Sequence, residues 1–300
     1  MAGGTGAAKL AVGLQTVLAP GALTVVTNSA DDDTFWGLLV CPDTDSVLYR
    51  LAGIFNHATG FGVDAETFAT LAMLKRLGEP TWFGLGDRDI GLHLLRNRLL
   101  GSGMRLTECI AEIARRLAIP SAVLPMCDEP VRTRIITNDG ELRFQEWFVR
   151  DRCEPTVSGV RFEGIEAAHA TPEVLVAVRD ADLIVIGPSN PLVSVAPILQ
   201  IAAAALQGKR VIAVAPIIAG QAMKGPTVRM LQDLGRGTDA VAAAHEWQDV
   251  ATDFVVDSRD AALAPSIEAL GLRVHHCDVE MTGDGGAQRL AGEVLAMAKA

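Results

Sequence analysis

Short apolar runs that end directly in small or polar residues are the feature that most restricts how this chain can fold. Five of them, rich in β-branched residues, lie at positions 23–26, 183–186, 210–214, 253–256 and 272–275. Continuous apolar strands of this kind are typical of a parallel sheet that is buried on both faces. Ligands of such sheets bind outside the carboxyl ends of the strands, so the polar residues that follow each run are the first candidates for a site.

Helical periodicity fills the intervals between these runs and predicts an α/β fold. Apolar spacing near 3.6 residues occurs at 8–17, 65–77, 90–100, 107–117, 172–178, 197–206 and 226–234. The stretch from about 46 to 119 holds few strand-like runs, so we expect a mostly helical insert there. Segments 134–137 and 141–148 flank Asn138-Asp139-Gly140, which predicts a β-hairpin.

Composition and charge narrow the class of protein. The 300 residues fit one domain, and the formal net charge of -10 argues against a nucleic-acid partner, which would select a basic surface. The five cysteines are scattered without a CxxC spacing, which favours a reducing cytoplasm over a disulfide framework. We see no signal peptide and no apolar run of the roughly 18 residues that a membrane span requires.

A glycine-rich motif, GGTG at residues 3–6, predicts a strand-to-helix turn that binds an anion. Glycines allow backbone N–H groups to approach a phosphate, and the helix N-terminus adds a favourable dipole. Thr5 and Lys9 can contribute a hydroxyl and an ammonium group, although a tight turn without a ligand explains the motif equally well. The motif begins two residues after Met1, so we expect its preceding strand to be missing or supplied by other means, with a truncated chain or a start codon further upstream as explanations.

Two acidic motifs suggest metal or phosphate chemistry. Asn28, Asp31 and Asp32 follow the strand-like run 23–26 and should lie at the mouth of a cleft; the alternative is a solvated acidic loop. Asp43 and Asp45, in the motif PDTD, are spaced so that they can share a divalent cation. Hard oxygen ligands favour Mg²⁺ over zinc, while a helix cap formed by Asp43 is the competing or coexisting interpretation.

Three further motifs complete the candidate site. Arg88, within the sequence Asp87-Arg88-Asp89, precedes His93 and Arg96 at helical spacing, which could bind a phosphate or carboxylate or be a surface salt-bridge loop. Ser189 and Asn190, in the motif GPSNP, follow a strand and suit the recognition of a ribose, base or phosphate. Gly225, between a lysine and a proline, could mark a second anion site or simply a helix start.

Together these motifs, in this order, resemble the CofD family, the 2-phospho-L-lactate transferases of coenzyme F-420 biosynthesis. The resemblance covers nearly the whole chain and rests on segments such as GGTGAAKLAVGL, TNSADDDTFWGLLVCPDTD, WFGLGDRDIGLHLLRNRL, GPSNPLVSVAPIL, AVAPIIAGQAMKGP and DFVVDSRD. It implies a single domain over residues 1–300, with a Rossmann-like three-layer parallel sheet and a helical insert at about 46–119 that carries part of the acceptor site. It also implies a homodimer.

The reaction that the resemblance implies is the transfer of a phospho-acid from a guanylyl diphosphate donor to the ribityl hydroxyl of the deazaflavin Fo, with Mg²⁺ and release of GMP. It implies catalytic roles for Asp45, Asp87 and Arg88 and a metal site at Asp43 and Asp45, with Asp31, Asp32 or Asp87 assisting proton removal. Fo would contact Asp45, Glu66, Trp82, Arg88 and His93. The nucleotide and its phosphates would contact Gly3, Gly4, Thr5, Gly6, Lys9, Asn28, Asp31, Asp32, Ser189, Asn190 and Gly225.

Departures from the family pattern leave the donor acid open between phospholactate, phosphoenolpyruvate and 3-phosphoglycerate. Ser29 and Ala30 replace the Thr and Gly of the usual NTGDD, Phe61 replaces a tryptophan, and Ala215 replaces the serine of SPI. The main alternative is a non-enzymatic, nucleotide-sugar-binding regulator similar to the gluconeogenesis-factor proteins. A redox enzyme with NAD at the glycine loop ranks last, because the GxGxxG pattern is absent.

Overall fold

The structure, a computed structural model, describes residues 1–283 and 285–299. The helices are α1 (Gly4–Val17), α2 (Pro42–Leu51), α3 (Ala69–Arg76), α4 (Asp87–Gly101), α5 (Leu106–Arg116), α6 (Pro172–Asp180), α7 (Ala196–Leu206), α8 (Thr227–Asp233), α9 (Ala240–Trp247), α10 (Ala264–Glu268) and α11 (Gly286–Met297). Short 3-10 turns occur at Ile165–Ala167 and Ser258–Leu263, and π-helical turns at Glu146–Arg150 and Pro191–Val195.

The strands are β1 (Thr24–Thr27), β2 (Asp33–Phe35), β3 (Leu38–Val40), β4 (Ala122–Pro125), β5 (Arg132–Thr137), β6 (Gly140–Arg143), β7 (Val157–Glu163), β8 (Ile184–Ile186), β9 (Val211–Val214), β10 (Ile217–Ile218), β11 (Gln221–Ala222), β12 (Asp253–Asp257) and β13 (Arg273–Cys277). Strands β8, β9, β12 and β13 form a parallel sheet in the order β13-β12-β9-β8, and β1 pairs in parallel with β4. The five predicted parallel strands are therefore present.

Residues Met1 and Ala2 join these two parallel sheets. Ala2 forms a parallel bridge with Thr27 of β1, while the Met1 amino group donates to the carbonyl of Val185 in β8 and the Met1 carbonyl accepts from Gly187. A two-residue extended segment thus takes the place of the strand that we expected to be missing before the glycine motif. Burial lowers the pKa of the Met1 amino group to about 5.

Helices cover both faces of the parallel sheet, which makes three layers. Alternate residues of β9 point into different cores, because side chains of a strand alternate between its faces. Val211 and Ala213 pack in the core that contains α6, α7 and α9, while Ile212 and Val214 pack in the core that contains α1 and α11. The prediction of an α/β fold with a buried parallel sheet is confirmed.

An antiparallel sheet with the order β6-β5-β7 stands apart from the parallel strands. Thr137 pairs with Gly140 across the Asn-Asp turn, as the hairpin signal predicted. The predicted second strand over 141–148 was wrong in its second half, because β6 ends at Arg143 and a π-helical turn follows at Glu146–Arg150. The Glu146 carboxylate explains this change of direction, since it accepts from the backbone and side chain of Arg143.

Between residues 46 and 119 the described chain consists of most of α2, then α3, α4 and α5, with one isolated bridge between Phe55 and Val63. α5 packs on β4, and α4 lies beside β3. α3 differs from its neighbours because none of its residues is buried. The interpretation of residues 46–119 as an insert within a single domain stays a prediction.

No helix in the described part of the chain is both long enough and apolar enough to cross a membrane.

Candidate active site

A cleft of about 400 Å³ opens at the carboxyl ends of β1 and β8, where the sequence placed its polar motifs. Its lining includes the N-terminus of α1, the loop after β1, the first turn of α2 and the loop after β8. Residues 59–62, 83–85 and 144–149 line it as well, and Gln145 of the last segment donates to the Asp31 carbonyl. The predicted site residues that line it are Gly3, Gly4, Thr5, Gly6, Asp31, Asp43, Asp45, His93, Ser189, Asn190 and Gly225.

The glycine motif forms the start of α1, with Gly3 at the N-cap position. A Cβ at Gly6 would lie 2.1 Å from the carbonyl oxygen of Pro188, and a Cβ at Gly3 would lie 2.5 Å from Ser194. Gly4 has φ +75°, a conformation that favours glycine. Close packing against the loop after β8 therefore requires these glycines, and the same packing directs the N-terminus of α1 into the cleft.

Asp31 and Asp43 form a pair of buried carboxylates in the lining of the cleft. One oxygen of Asp43 accepts from the side-chain amide of Asn28 at 2.9 Å, and Oδ1 of Asp31 is buried without a hydrogen-bond partner among the described residues. Burial is the main cause that raises the pKa of both carboxyl groups, and the charge of Asp43 raises that of Asp31 further. This pair therefore has a strong electrostatic requirement for a positive partner.

Asp45 lies two residues after Asp43, in the same first turn of α2, but has a positive partner inside the protein. Arg96, which is fully buried, contacts both carboxylate oxygens of Asp45, and the Cys41 amide donates to one of them at 3.1 Å. His93 Nδ1 lies 3.3 Å from the same guanidinium and 3.7 Å from Asp45. Both oxygens of Asp45 are thus engaged, so the structure does not bring Asp43 and Asp45 together as one open ligand pair.

Tyr49 and Asp89 line the middle of the cleft, and the sequence analysis did not assign either of them a role. The Tyr49 hydroxyl donates to Oδ1 of Asp89, and His93 Nε2 lies 3.3 Å from the same oxygen. Among the described residues no hydrogen-bond donor reaches the other oxygen, Oδ2. The helical spacing of Asp89 and His93 was the signal that could have found this pair.

Four of the residues predicted to act on Fo or in catalysis lie outside the cleft lining. Asp87 accepts from the Thr67 hydroxyl and from the first amides of α3, and these hydrogen bonds hold its pKa below its usual range. Glu66 accepts from the first amides of α4, and the Arg88 guanidinium donates to the Asp64 carbonyl. These contacts give Asp87 and Glu66 the role of helix caps. The fourth residue is Trp82.

Aromatic side chains form part of the wall of the cleft. Trp82 packs edge-on against Phe35, and its neighbour Phe83 stacks on Phe35 with ring centroids 4.0 Å apart. Phe83 lines the cleft, together with Phe61, Phe144 and Phe148. Phe83 therefore lines the cleft in the segment where the sequence analysis named Trp82, and the contact of Trp82 with Fo stays a prediction.

The loop after β8 presents one satisfied and one unsatisfied polar side chain. Asn190 accepts from the Leu192 amide at 2.9 Å, whereas the Ser189 hydroxyl is buried without a partner among the described residues. Lys9 and Asn28 lie behind the cleft lining, and Asp32 lines a second cavity together with Arg132. The predicted nucleotide contacts at these three positions are therefore not brought to the cleft surface.

Comparison with known proteins decides the family. A family model described as 2-phospho-L-lactate transferase CofD matches residues 1–293. The chain is 36% identical over 297 residues to the 2-phospho-L-lactate transferase of Methanosarcina barkeri, covering 98% of this chain and 96% of that protein. It is also 36% identical over 313 residues to the phosphoenolpyruvate transferase of Thermobifida fusca, with coverages of 98% and 97%.

The chain belongs to the CofD family. The resemblance found in the sequence is therefore confirmed. A solved structure of a UPF0052 family protein from Bacillus halodurans superposes with a TM-score of 0.67 at 18% identity, covering 98% of this chain and 96% of that one. Identity at this level shows a shared fold alone, and it agrees with the α/β architecture described above.

The metal that the CofD family implies can be tested against the residues present. No group of three or more His, Cys, Asp or Glu side chains suited to a metal ion occurs in the described residues. Mg²⁺ is commonly held by one or two carboxylates together with waters and substrate phosphates. The Asp31–Asp43 pair, with its buried unpartnered oxygen, fits that pattern, so the residues present are compatible with Mg²⁺.

Proposed function

We propose that the protein is a transferase that joins the ribityl hydroxyl of Fo to a phospho-acid from a guanylyl diphosphate donor, as a step of coenzyme F-420 biosynthesis. The observation that carries this proposal is a single cleft lined by two chemically different groups of residues. One group combines a helix N-terminus with the Asp31–Asp43 pair, and the other consists of aromatic rings. The printed names of the relatives, transferases of 2-phospho-L-lactate and of phosphoenolpyruvate, support the same reaction class.

The donor is proposed to bind at the glycine motif. The N-terminus of α1 supplies backbone amides and a positive dipole for phosphate oxygens. The Ser189 hydroxyl, buried and unpartnered, is available to a ribose or phosphate oxygen. Packing of Gly3 and Gly6 against the loop after β8 keeps these groups in a fixed relation, which is what alignment of a phosphoryl group requires.

The acceptor is proposed to bind at the aromatic rings. The planar deazaflavin ring suits a slot between the rings of Phe83, Phe144, Phe148 and Phe61, because aromatic faces stack favourably. This assignment replaces Trp82, which packs behind Phe83. A ring bound here would direct its ribityl chain along the cleft toward Asp89 and the carboxylate pair.

Asp31 and Asp43 would hold Mg²⁺, in preference to the predicted pair Asp43 and Asp45. The reason is that Arg96 already balances the charge of Asp45, whereas nothing among the described residues balances Asp31 and Asp43. When bound, Mg²⁺ supplies charge neutralisation at the phosphate oxygens. A rigid support beneath the Asp31–Asp43 pair is proposed to be formed by Asp45, Arg96 and His93.

The chemical step forms a bond between the Fo hydroxyl oxygen and the phosphorus that carries the acid, and it breaks the bond between that phosphorus and the oxygen of GMP. The hydroxyl proton must leave, and we assign it to Oδ2 of Asp89, which lines the cleft without a donor among the described residues. Tyr49 fixes the orientation of this carboxylate through Oδ1. Asp89 thereby takes the role that the sequence analysis gave to Asp31, Asp32 or Asp87.

A homodimer is proposed to cover α3. This helix buries none of its residues, and Met73 and Leu77 are 52% and 71% exposed. A run of exposed apolar side chains on one short helix is typical of a surface that contacts another chain.

A transfer assay tests the function directly. Purified protein is incubated with Fo, GTP, a guanylyltransferase, Mg²⁺ and one of 2-phospholactate, phosphoenolpyruvate or 3-phosphoglycerate, and the products are identified by mass spectrometry. We expect one phosphodiester of Fo, with equimolar GMP, and no product in excess EDTA. Asp89→Asn should lower turnover far more than Asp87→Asn.

Folded protein that gives no product with any of the three acids would contradict the proposal. If the same protein bound a nucleotide sugar, the regulator related to gluconeogenesis-factor proteins would take its place. Equal turnover of the Asp89 and Asp87 variants would remove the assignment of the proton acceptor alone.

A further inference from the structure

Three basic side chains beside the cleft have no carboxylate partner in the described part of the chain. They are Lys9, Arg50 and Lys224, and no acidic group contributes to the shifted pKa of Arg50 or Lys224. Many arginines of this chain form ion pairs but no lysine of the described residues does, so the missing carboxylate is most notable at Arg50. Unbalanced cations at a cleft indicate a requirement for an anionic ligand.

Arg50 is the clearest case. It lies in the last turn of α2, is only 7% exposed, and places its guanidinium 3.5 Å from the ring centroid of Phe55. Its Nε is buried without a hydrogen-bond partner within residues 1–283 and 285–299. Stacking on an aromatic ring compensates only part of the hydration that a buried guanidinium gives up.

A loop at residues 56–62 connects Arg50 to Lys224. Phe55 and Val63 bridge at the base of this loop, directly above the Arg50 guanidinium. At its tip, the Lys224 ammonium donates to the Gly60 carbonyl at 2.9 Å. Residues 59–62 and Lys224 all line the cleft. The loop therefore lies between two cations, Arg50 and Lys224, and of these Lys224 lies at the cleft, where a ligand would bind.

The electrostatics of Lys224 agree with this arrangement. Burial is the main cause that lowers the pKa of its ammonium group, and the like charges of Arg50 and Lys9 lower it further. The three cations therefore share one electrostatic neighbourhood, although Lys9 and Arg50 do not line the cleft themselves. Like charges brought together at partly buried positions are stabilised when an anion binds between them.

We propose that Lys224, supported by Arg50 and Lys9, forms an anion subsite for the acid end of the donor, a phosphate that carries a nearby carboxylate. The identity of that donor rests on the proposed function. A guanylyl diphospho-acid carries three negative charges, two on the diphosphate and one on the carboxylate, and the subsite supplies three positive charges. Lys224 contacts the ligand, while Arg50 is a positioning residue that acts through Phe55 and the 56–62 loop.

The test measures binding of free phosphoenolpyruvate to the full chain by calorimetry, without Fo and without turnover. Lys224→Gln is the informative variant, because an amide can still donate to the Gly60 carbonyl while the positive charge is lost. We expect affinity to fall about tenfold or more, as for loss of a charge-assisted hydrogen bond. Lys224→Arg should stay within about threefold of the wild type, since the charge is retained.

Lys299→Gln is the matched control, since Lys299 is an exposed lysine that does not line the cleft. It should bind phosphoenolpyruvate like the wild type. Inorganic phosphate should lose less affinity than phosphoenolpyruvate in Lys224→Gln, because it lacks the carboxylate. For the positioning role, Arg50→Lys should raise the donor KM with little change in kcat, whereas a merely structural role would lower the amount of folded protein without moving KM.

Equal phosphoenolpyruvate affinity in Lys224→Gln and the wild type would overturn the inference, as would a folded wild type that binds no phosphoenolpyruvate. The outcome is separable from that of the transfer assay. A protein that binds the anion through Lys224 but transfers nothing to Fo would refute the proposed function and retain the subsite. A protein that transfers normally with Lys224→Gln at unchanged donor KM would refute the subsite alone.

Discussion

Asp43 and Asp45 lie two residues apart in the same helical turn, yet the protein treats their charges in opposite ways. Asp45 is paired with the buried guanidinium of Arg96. Asp43 faces another carboxylate, Asp31, and its hydrogen-bond donors are neutral amides, the Asn28 side chain and the Gly4 backbone. A carboxylate whose charge is balanced internally serves the fold, whereas one left unbalanced is available to a ligand. We therefore propose that the same sequence motif supplies both a support, Asp45, and a binding group, Asp43.

The strongest test of this comparison removes the internal partner of Asp45. Arg96→Met leaves a buried carboxylate without a cation, and we expect the free energy of unfolding to fall by about 3 to 5 kcal/mol. Urea denaturation followed by circular dichroism measures this change. The double variant Asp45→Leu with Arg96→Met should recover much of the loss, because an apolar pair replaces the ion pair. A loss below about 1 kcal/mol in the single variant would show that Asp45 does not depend on Arg96.

The corresponding change at Asp43 should affect activity and leave stability intact. Asp43→Asn keeps the shape and the acceptor for Asn28 but removes one charge of the pair. We expect turnover to fall about 100-fold or more, which is the effect of losing one electrostatic contact to a transferring group. The free energy of unfolding should stay equal or rise, since a buried like-charge contact disappears. A variant destabilised as strongly as Arg96→Met would show that Asp43 is a structural group as well.

The contrast between these two aspartates also shows what the sequence could and could not predict. The parallel strands, the hairpin at Asn138 and the position of the cleft followed from local patterns of apolar and polar residues, which depend on neighbours in sequence. The partner of Asp45 lies 51 positions away, and that of Asp43 lies 12 positions away on another loop. Local spacing therefore placed both carboxylates in the site but could not separate their roles.

The helical segment illustrates the same limit. Asp87 and Asp89 are equivalent by spacing, and only the packing of α3 against α4 shows that Asp87 caps a helix while Asp89 faces the cleft. Packing on Phe35 likewise decides that Phe83, and not its neighbour Trp82, lines the cleft. The helices α9, α10 and α11 were absent from the predicted helices. In α9 the reason is a nearly continuous run of small apolar residues, which leaves no polar face to show helical periodicity.

Asp32 extends the comparison to a third buried carboxylate. Burial raises the pKa of Asp32 to about 8, and the charges of Arg96 and Arg132 offset only part of that effect. The folded-state pKa lies above the unfolded value, so the contribution of Asp32 to stability is fully present below about pH 4 and is lost as pH rises through about 8. Asp32→Asn removes this dependence.

Between pH 5 and pH 7, the wild type should therefore lose about 3 kcal/mol of unfolding free energy relative to Asp32→Asn. Parallel urea titrations at several pH values measure the difference. Because Asp32 does not line the main cleft, the donor KM should not change. A pH-independent difference between the two proteins would show that Asp32 keeps an ordinary pKa, and a raised donor KM would return Asp32 to the nucleotide site.

The smallest expected effect concerns the uncharged side chains of Ser189 and Asn190. As with Asp43 and Asp45, one of the two has a partner inside the protein and the other does not. Asn190 is satisfied internally by the Leu192 amide, and Ser189 is buried with an unpartnered hydroxyl. Ser189→Ala should raise the donor KM about fivefold, the equivalent of one neutral hydrogen bond, at unchanged stability. Asn190→Ala should instead lower the free energy of unfolding by about 1 kcal/mol through loss of a cap. Steady-state kinetics and urea titrations of the two variants measure the donor KM and the free energy of unfolding. If Ser189→Ala changed stability and Asn190→Ala changed the donor KM, an unpartnered buried group would not mark the ligand side of this cleft.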